Sequence, residues 1–421
     1  MKNILVLSFA CSPVLGSEFS VGWNFINHMN KHNRLFVLYA DLADNTGMDD
    51  YISGRKKIEN VSFFYCGKKE KLPKNVNVLR DYIQSYRDTK KLHNNAFLLA
   101  KEIIERERID CIHYLNPIGF KESSTLWKLN LPYVWGPVQT VSDWPWFSLL
   151  YLSLRGKIEF FARKFFHNIH FYCNKNVRKA FYRSDVVVAA TPFSKDQVEK
   201  TFNKKVLYSP ENAIESIENY NVIEYKGGVL QILFAGSLID RKGVIFILYA
   251  LNELKKKNLL SKCHLHVFGT GYLENTLKEF TRKNHLDSAI SWHGFVDRGL
   301  LQRQMRNMHL NVITSLSEGT PTILWESSIQ GLPTLYFNHC GMQGVLNEKC
   351  GFPVEVSRFS CKKNITSIVQ NLSLIIEKPE IIREKSMNLK VVLEKHEWQK
   401  REIFFDNVYD YAICEHNYRN D

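Results

Sequence analysis

Residues 315–337 read SLSEGTPTILWESSIQGLPTLYF, a stretch that predicts a loop, a helix and a strand in succession after the apolar run LNVITSL. Glu318 follows that run after Ser317, and the helix that begins near Thr322 carries Glu326, eight residues after the first glutamate. The first backbone N–H groups of a helix have no partner within it and can bind an anion. The two carboxylates could then hold sugar hydroxyls. Two glutamates taken alone are more often ordinary polar residues of a surface loop and helix.

Strand-like and helix-like segments alternate along both halves of the chain. NILVLSF, LFVLYA and IDCIHYL are apolar runs of strand length in the first half, and VLQILFAGS and HLHVFGT restart the pattern in the second. Such alternation is typical of parallel sheets covered by helices on both faces, in which ligands bind beyond the carboxyl ends of the strands. The pattern predicts an α/β fold of two doubly wound, Rossmann-like domains that face a central cleft containing the site.

The length of 421 residues exceeds one typical core and indicates two domains. Residues 211–229 are polar and weakly patterned, so we place the linker there. We therefore expect one domain over residues 1–215 and a second over 216–400. Residues 401–421 are expected to form a helix that returns to the first domain.

Composition limits the classes of protein that the chain can belong to. It is 45% hydrophobic, which indicates a globular protein, and its apolar runs are shorter than the roughly 18–20 residues needed to span a bilayer. The nine cysteines are scattered with no Cys-x-x-Cys pair, which favours reduced thiols in the cytoplasm. The N-terminal MKNILVLSFAC is better interpreted as a buried first strand than as a signal peptide. The net charge of +13 favours anionic partners.

Two further loops of the second half follow predicted strands. The loop from Gly236 to Gly243 contains Arg241 and Lys242 directly before a helix. Glycines, two cations and a helix N-terminus together suit a diphosphate, although a basic turn on the surface would have the same sequence. The second loop is Gly269-Thr270-Gly271, where small residues would let a ligand approach the backbone.

The order of these motifs supplies a resemblance. FAGSLIDRKG, VFGTGYLENTL and the long stretch from WHGFVDRG to SSIQGLPTL resemble the C-terminal domain of the retaining family-4 glycosyltransferases with the GT-B fold, whose E-x7-E motif the two glutamates match. ACSPVLGSEFSVGWN resembles the glycine loop after the first strand in polysaccharide-type members. The resemblance spans nearly the whole chain and implies acceptor binding by the first domain and nucleotide-sugar binding by the second.

The resemblance also implies roles for single residues. Lys242 and Arg241 would neutralise the diphosphate leaving group, Glu318 would contact the transferred sugar, and Glu326 would hold the ribose. The catalytic set is completed by His113, which is expected near the sugar, although a buried structural histidine is as good an interpretation. The donor-binding set comprises Gly16, Ser17, Ser237, Gly269, Gly271, His293, Phe295, Gly319, Thr320, Pro321, Thr322 and Glu326.

The resemblance implies transfer with retention and without a metal or other cofactor. The nucleotide-diphosphate sugar, expected to be a UDP- or GDP-sugar, is a co-substrate, and electrostatic stabilisation and positioning would supply most of the catalysis. No Asp-x-Asp pair, which holds a divalent cation in metal-dependent sugar transferases, occurs in the sequence. Ser237 stands where the family usually has Arg, which removes one cation from the diphosphate side.

Residues 148–184 combine eight Lys or Arg residues and one Glu with many aromatic residues. Such a stretch is typical of a peripheral helix on anionic lipid, and equally of core aromatics beside a solvated basic face. Nucleic acid is not expected, because no nucleic-acid fold signature accompanies the stretch. We expect the first domain to dock on the inner face of the cytoplasmic membrane through these residues and to reach a lipid-linked acceptor.

Three functions follow from these observations. The first is a cytoplasmic or peripheral glycosyltransferase that uses a nucleotide-sugar donor and a glycan or lipid-linked acceptor to build a surface polysaccharide, lipopolysaccharide or capsule. The second, a sugar-nucleotide epimerase or a phosphorylase, has no supporting motif. The third is a weakly active or silent membrane-associated assembly partner of the same fold, against which Lys242, Glu318 and Glu326 argue and for which Ser237 argues.

Overall fold

The computed structural model describes residues 1–69, 78–140, 144–218 and 220–420. The chain forms two compact units. The first unit comprises Met1–Val141, His167–Asn212 and Trp398–Asp421, and the second comprises Ser142–Phe166 and Ala213–Glu397.

Each unit is built on a fully parallel sheet. The strands, numbered along the chain, are β1 (Lys2–Ser8), β2 (Asn33–Asp41), β3 (Val61–Lys68), β4 (Cys111–Asn116), β5 (Tyr133–Val138), β6 (Val186–Ala189), β7 (Val206–Tyr208), β8 (Leu230–Ala235), β9 (Cys263–Phe268), β10 (Ile290–Gly294), β11 (Leu310–Ile313), β12 (Thr334–Phe337) and β13 (Phe352–Val354). The first sheet has the order β3-β2-β1-β4-β5-β6-β7, and the second has the order β10-β9-β8-β11-β12-β13. The prediction of two doubly wound sheets is confirmed.

Helices join the strands and cover the sheets. They are α1 (Glu18–Met29), α2 (Asp49–Ile52), α3 (Val78–Arg106), α4 (Leu154–Ala162), α5 (Asn168–Cys173), α6 (Lys175–Arg183), α7 (Pro192–Phe202), α8 (Val244–Lys256), α9 (Glu274–Lys283), α10 (Arg298–Met305), α11 (Thr322–Ile329), α12 (Cys361–Glu377), α13 (Glu380–Leu393) and α14 (Trp398–Asn420). Every residue of β4, β5, β11 and β12 is buried, as expected for parallel strands with both faces covered. No described helix is long and apolar enough to cross a membrane.

The strand order creates one switch point in each sheet. In the first sheet β1 lies between β2 and β4, and in the second β8 lies between β9 and β11. The connections that follow the two strands on either side of a switch point lead away in opposite directions, which leaves a crevice at their carboxyl ends. Each unit therefore has one preferred place for a ligand: beyond β1 and β4 in the first unit, and beyond β8 and β11 in the second.

The predicted domain ranges are wrong for one segment. Ser142–Phe166, the inserted segment, interrupts the first unit and belongs to the second. Its buried side chains Trp144, Phe147, Leu152 and Phe160 join the core around β8 and α8, and the ring centroid of Phe147 lies 5.3 Å from that of Phe246. The predicted membrane stretch, residues 148–184, is consequently divided between the units after Phe166 and is not a single face of the first domain.

Two hydrogen bonds fix the start of α4 in the second unit. The carboxylate of Asp240 accepts from the backbone N–H of Ser153 (2.7 Å) and from its hydroxyl (2.5 Å). The same hydroxyl caps α4 by accepting from the N–H of Gly156. Asp240 therefore ties the inserted segment to the loop that carries Arg241 and Lys242.

The predicted linker is largely part of the second unit. The chain enters that unit after Asn212 and leaves it after Glu397, each three residues before the predicted boundaries at 215 and 400. Tyr220 donates a hydrogen bond to the carbonyl oxygen of Ser386, and the N–H of Ile223 donates to its hydroxyl. Within the predicted linker, residue 219 lies outside the described residues.

The last helix, α14, completes the first unit. Glu402 accepts hydrogen bonds from His28 (2.8 Å) and His32 (3.1 Å) on α1, and Arg401 donates to the carbonyl oxygens of Pro210 and Asn212. The guanidinium and the carboxylate together fasten α14 at its start, so the return of the chain begins at Trp398 and not at residue 401.

We expect the buried ring of Phe160 to be a main link between the inserted segment and the second unit. Phe160→Ala should destabilise that unit by about 3–5 kcal/mol, because the variant loses buried apolar area and leaves a cavity. Urea unfolding followed by Trp fluorescence would measure the loss. Phe161→Ala is the matched control, since the Phe161 ring is exposed and its removal should change the stability by less than about 0.5 kcal/mol. Equal effects of the two substitutions would contradict the packing described here.

Candidate functional site

The loops after β8 and β11 lie side by side at the switch point of the second sheet. β8 and β11 are hydrogen-bonded neighbours, with Leu233 opposite Asn311. The loop after β8 ends in a short turn, Asp240–Lys242, and Gly243 is the N-cap residue of α8. The N–H of Leu316, in the loop after β11, donates to the carbonyl oxygen of Arg241 (2.8 Å). The topology thus brings together two predicted site segments that lie more than 70 residues apart in sequence.

Glu318 forms an ion pair with both cations of the loop after β8. Its Oε1 lies 2.7 Å from Nη1 of Arg241 and also contacts Nζ of Lys242. The Arg241 guanidinium additionally donates to the carbonyl oxygen of Ser317 (2.8 Å). Glu318 is only 9% exposed. The three side chains that the resemblance assigned to the diphosphate and the sugar therefore form one partly buried charge cluster.

The balance of forces on Glu318 favours its ionised form. Burial alone would raise the pKa of the carboxyl, but Lys242 and Arg241 outweigh burial and lower the pKa below its ordinary value. A buried ion pair is stable only when its charges compensate each other closely, because each ion has lost its hydration. An entering anion would need to take over the cations from Glu318, which would free the carboxylate to accept hydrogen bonds from a neutral polyhydroxyl group.

Glu326 lies in the middle of α11 and forms a separate ion pair. Its Oε1 is 2.6 Å from Nε of Arg298, the first residue of α10, and its side chain is largely buried. Burial raises the pKa of Glu326, and the nearby Arg298 opposes that effect. Arg298 was not found from the sequence, because nothing in the stretch VDRGLLQ distinguishes an arginine of the site from one of an exposed helix.

The glycines of the second loop pack closely against the loop after β8. A Cβ atom on Gly269 would collide with the carbonyl oxygen of Gly236, and one on Gly271 would collide with that of Leu238. The N–H of Leu238 also donates to the carbonyl oxygen of Thr270 (2.9 Å). The small size of these glycines therefore allows the loops after β8 and β9 to pack together, and their role in donor binding stays a prediction.

The loop before α11 is packed beneath the chain that follows β12. Gly319, Thr320 and Pro321 are buried, and α11 begins at Thr322. A Cβ atom on Gly341 would collide with the carbonyl oxygen of Gly319, so Gly341 lets the two segments come into contact. The side chains of Thr320 and Pro321 are therefore covered, whereas Thr322 is exposed, and a ligand would meet the backbone at the N-terminus of α11.

A histidine missed by the sequence interpretation supports the loop after β11. The ring of His339 donates from Nε2 to the carbonyl oxygen of Ser315 (2.8 Å), and its Nδ1 lies 3.0 Å from Sγ of Cys340. Because a carbonyl oxygen can only accept, Nε2 carries the proton and Nδ1 accepts from the thiol. Burial lowers the pKa of His339, which keeps the ring neutral at the base of the site.

His293 and Phe295, two members of the predicted donor-binding set, lie at the end of β10. The ring of His293 stacks on that of Phe268, with the centroids 4.2 Å apart and the planes 7° from parallel. Phe295 is highly exposed and Ser237 is exposed as well. One face of the His293 ring is therefore covered by Phe268. The Phe295 ring is exposed and can be covered by a flat ligand.

His113 is a packing residue of the first unit, which corrects its assignment to the catalytic set. It is fully buried on β4, donates from Nε2 to the carbonyl oxygen of Gly136 (2.6 Å) and accepts at Nδ1 from the hydroxyl of Tyr409 on α14 (2.8 Å). Burial lowers the pKa of His113 to about 4. Both ring nitrogens are used, so the side chain is not available to a sugar.

Gly16 and Ser17 lie in the exposed loop that leads from β1 to α1. No atom lies within 4 Å of a Cβ added at Gly16, which leaves open space beside its backbone. Ser17 has a positive φ of 57° and does not cap α1 through its hydroxyl. Both residues therefore stand at the switch point of the first sheet, and the strained backbone at Ser17 turns the chain into the helix.

Other polar groups that the sequence did not single out surround the same switch point of the first unit. Oε1 of Glu18 accepts a hydrogen bond from the N–H of Ile118 (2.5 Å), and burial raises the pKa of Glu18. Glu122 accepts from the hydroxyl of Thr89 (3.4 Å), and its pKa is also raised by burial. The buried ring of His93 has no hydrogen-bond partner among the described residues. These groups are separated by long stretches of sequence and meet only through the fold.

The match to a protein family falls on the second unit. Residues 215–390 match the model described as glycosyl transferases group 1. The matched range lies within Ala213–Glu397 of the second unit. An uncharacterized glycosyltransferase of Methanocaldococcus jannaschii is 23% identical over 321 residues, which cover 75% of this chain and 79% of that protein.

Two solved structures with the GT-B fold resemble nearly the whole chain. The lipopolysaccharide outer core galactosyltransferase WaaB in its apo form has a TM-score of 0.65 at 16% identity, covering 98% of this chain and 99% of its own. HepE of Anabaena in complex with UDP has a TM-score of 0.62 at 12% identity, covering 97% and 100%. These similarities show the fold, and with the family match they support a glycosyltransferase of the GT-B class.

The described part of the chain holds no group of three or more His, Cys, Asp or Glu side chains arranged to bind a metal ion. The charge cluster at the switch point has the opposite composition: two cations and one carboxylate. Such a cluster suits an anionic ligand and would repel a divalent cation unless the anion carried it.

The lowered pKa of Glu318 predicts a specific acid dependence of stability. Because the folded-state pKa lies below the unfolded-state value, the stabilisation is fully present above about pH 4.3 and is lost as the pH falls through the folded-state pKa. Glu318→Gln should cost about 3 kcal/mol at neutral pH, since two partly buried cations lose their partner. The cost should shrink on acidification.

Urea unfolding of the variant and the wild type across the acidic range would measure this difference. Glu253→Gln on α8 is the control, since Glu253 pairs with Lys256 on an exposed helix surface and such pairs contribute little. A loss at Glu318→Gln that is independent of pH would show that the carboxylate does not stabilise the fold through its charge.

Proposed function

We propose that this chain transfers a sugar from a nucleoside diphosphate sugar to a glycan or lipid-linked acceptor. The observation that carries the proposal is the partly buried cluster of Arg241, Lys242 and Glu318 at the switch point of the second sheet, within the range that matches the group 1 model. The cluster provides cations for a leaving diphosphate and a carboxylate for sugar hydroxyls within one contact distance. The UDP bound in the structurally similar HepE and the galactosyl transfer in the name of WaaB support the choice of donor.

The reaction would break the bond between the anomeric carbon and the diphosphate oxygen and form a bond from that carbon to an acceptor hydroxyl. Arg241 and Lys242 would neutralise the charge that develops on the leaving oxygen, which is stabilisation aimed at the transition state. As the diphosphate takes over the cations, Glu318 would turn to the sugar. The acceptor proton would pass to the departing diphosphate on the same face, with retention of the anomeric configuration.

The remaining donor contacts follow from the second ion pair and from the exposed ring. Ionised Glu326 would accept hydrogen bonds from the ribose hydroxyls, for which its pairing with Arg298 keeps it charged and oriented. Phe295 would cover the base at the ends of β9 and β10. We further propose that no metal is required, because Arg241 and Lys242 supply the charge that a divalent cation brings to sequences with an Asp-x-Asp pair.

We propose a cytoplasmic enzyme of surface polysaccharide, lipopolysaccharide or capsule biosynthesis, with the first unit on the acceptor side. The sequence similarity of ACSPVLGSEFSVGWN to polysaccharide-type enzymes supports this placement. The polar groups Glu18, Glu122 and His93 at the first switch point offer hydrogen-bond partners for acceptor hydroxyls. A silent assembly partner of the same fold is the alternative, and Ser237 is the residue that favours it.

Hydrolysis or transfer from a panel of nucleotide sugars would test the activity. Lys242→Ala should lower kcat by about 100- to 1000-fold, as expected when one charged donor to a leaving group is removed. Lys283→Ala on α9 is the matched control, because that lysine pairs with Glu279 on an exposed helix surface. If neither protein turns over any donor and neither binds UDP, the enzymatic proposal fails.

Ser237→Arg tests the alternative directly. A guanidinium restored beside the diphosphate should strengthen UDP binding by about 10-fold, since a charge-assisted hydrogen bond contributes about 1.5–3 kcal/mol. Calorimetric titration with UDP would measure the change, with Ser237→Gln as a neutral control of similar length. Wild-type turnover together with unchanged affinity in the variant would show that Ser237 does not limit the enzyme.

A further inference from the structure

The inserted segment exposes a row of large apolar side chains. The exposed fractions are 83% for Leu150, 77% for Leu154, 65% for Ile158, 52% for Phe161 and 62% for Phe165. Soluble proteins seldom expose so many large apolar side chains side by side, and contiguous patches of this kind mark interaction sites. We call this row the docking face.

The docking face follows one side of a helix. Leu154, Ile158 and Phe161 are separated by four and three residues on α4, and Phe165 follows four residues later in the π-helical turn Arg163–His167. Residues at this spacing lie on one face. The opposite face carries the fully buried Phe160 and packs on the second unit. The helix therefore has two apolar faces, one packed on the protein core and one exposed to solvent.

Cations border the docking face. Between Leu154 and Phe165 the sequence has four basic residues, Arg155, Lys157, Arg163 and Lys164, against one acidic residue, Glu159. Glu159 pairs with Arg163 (2.8 Å). The ammonium of Lys164 lies 4.7 Å from the ring of Trp146. Long basic side chains beside an apolar row are typical of helices that lie in the headgroup region of an anionic bilayer.

The docking face is held rigidly beside the donor loop. Asp240, the residue before Arg241, accepts two hydrogen bonds from Ser153 at the start of α4. The guanidinium of Arg155 lies 4.6 Å from the ring of Tyr272, whose hydroxyl donates to Asp240 (2.7 Å). A surface that receives α4 would therefore stand next to the loop that binds the diphosphate.

We propose that the docking face binds the surface of an anionic phospholipid membrane. Leu150, Leu154, Ile158, Phe161 and Phe165 enter the boundary between headgroups and acyl chains, and the bordering cations contact lipid phosphates. A second copy of the chain is a poorer occupant, because two such faces would bring their cations together. The inference rests on the proposed function only in its purpose, which is to present a lipid-linked acceptor beside the donor loop.

Flotation with vesicles of phosphatidylglycerol and phosphatidylcholine tests the proposal. Wild type should float with mixed vesicles, and less with pure phosphatidylcholine or at high salt. Ile158→Ser/Phe161→Ser should weaken binding by at least about 10-fold, because two large apolar side chains no longer enter the bilayer. Phe359→Ser/Ile403→Ser is the matched control, since both side chains are highly exposed outside the inserted segment. It should float like wild type.

Three outcomes would overturn the proposal. Wild type that does not bind anionic vesicles, or a docking-face variant that binds as the control does, excludes the membrane. Wild type that is a dimer, and becomes a monomer on Ile158→Ser/Phe161→Ser without binding vesicles, assigns the face to a second copy. Flotation of Lys242→Ala separates this proposal from the enzymatic one, because that variant should bind vesicles like wild type whether or not the chain transfers a sugar.

Discussion

The ion pair of Glu318 with Arg241 and Lys242 is the interaction on which the candidate site depends. Two cations that wait for an anionic ligand would repel each other in a partly buried place, and a lone buried carboxylate would favour its protonated form. Held together, the three charges compensate one another, and the site stays ordered without a ligand. In the proposed function, a diphosphate would replace the carboxylate on the same cations and leave Glu318 facing the sugar.

Sheet topology brings these charges together. β8 and β11 are neighbours only because the connections of the second sheet reverse direction at this point, so the two loops after them meet at the carboxyl edge. Gly243 allows the loops after β8 and β11 to pack together, since a Cβ atom there would collide with the carbonyl oxygen of Thr314. Gly269 and Gly271 do so for the next loop. The glycines around the site thus allow close contact between the backbones of neighbouring loops. The charged side chains of the site are carried by these tightly packed loops at the carboxyl edge of the sheet.

Periodicity in the sequence predicted the strands and helices. It did not predict features that depend on contacts between residues distant in sequence. The strands and helix around Glu318 follow from local patterns, and the grouping of Arg241, Lys242 and Glu318 follows from their positions after parallel strands. Burial of His113 depends on Tyr409, almost 300 residues later, which no local pattern shows. The transfer of Ser142–Phe166 to the second unit depends in the same way on Asp240 and on the core around Phe160. Arg298 was not found from the sequence, because an arginine is equally common at the exposed start of a helix and as the partner of a buried carboxylate.

The inserted segment has a consequence for how the second unit can be inherited or rebuilt. The range that matches the group 1 model, 215–390, leaves out Trp144, Phe147, Leu152 and Phe160, which fill part of that unit's core. The second unit is therefore built from two separate segments of the chain. Recombination that replaces everything after Asn212 with the sequence of a relative would keep the original α4 and change most of the core against which α4 packs. A relative that is similar only over the matched range would therefore fit poorly at α4. Sequence change in the inserted segment is therefore coupled to change in a unit to which, by position in the chain, it does not belong.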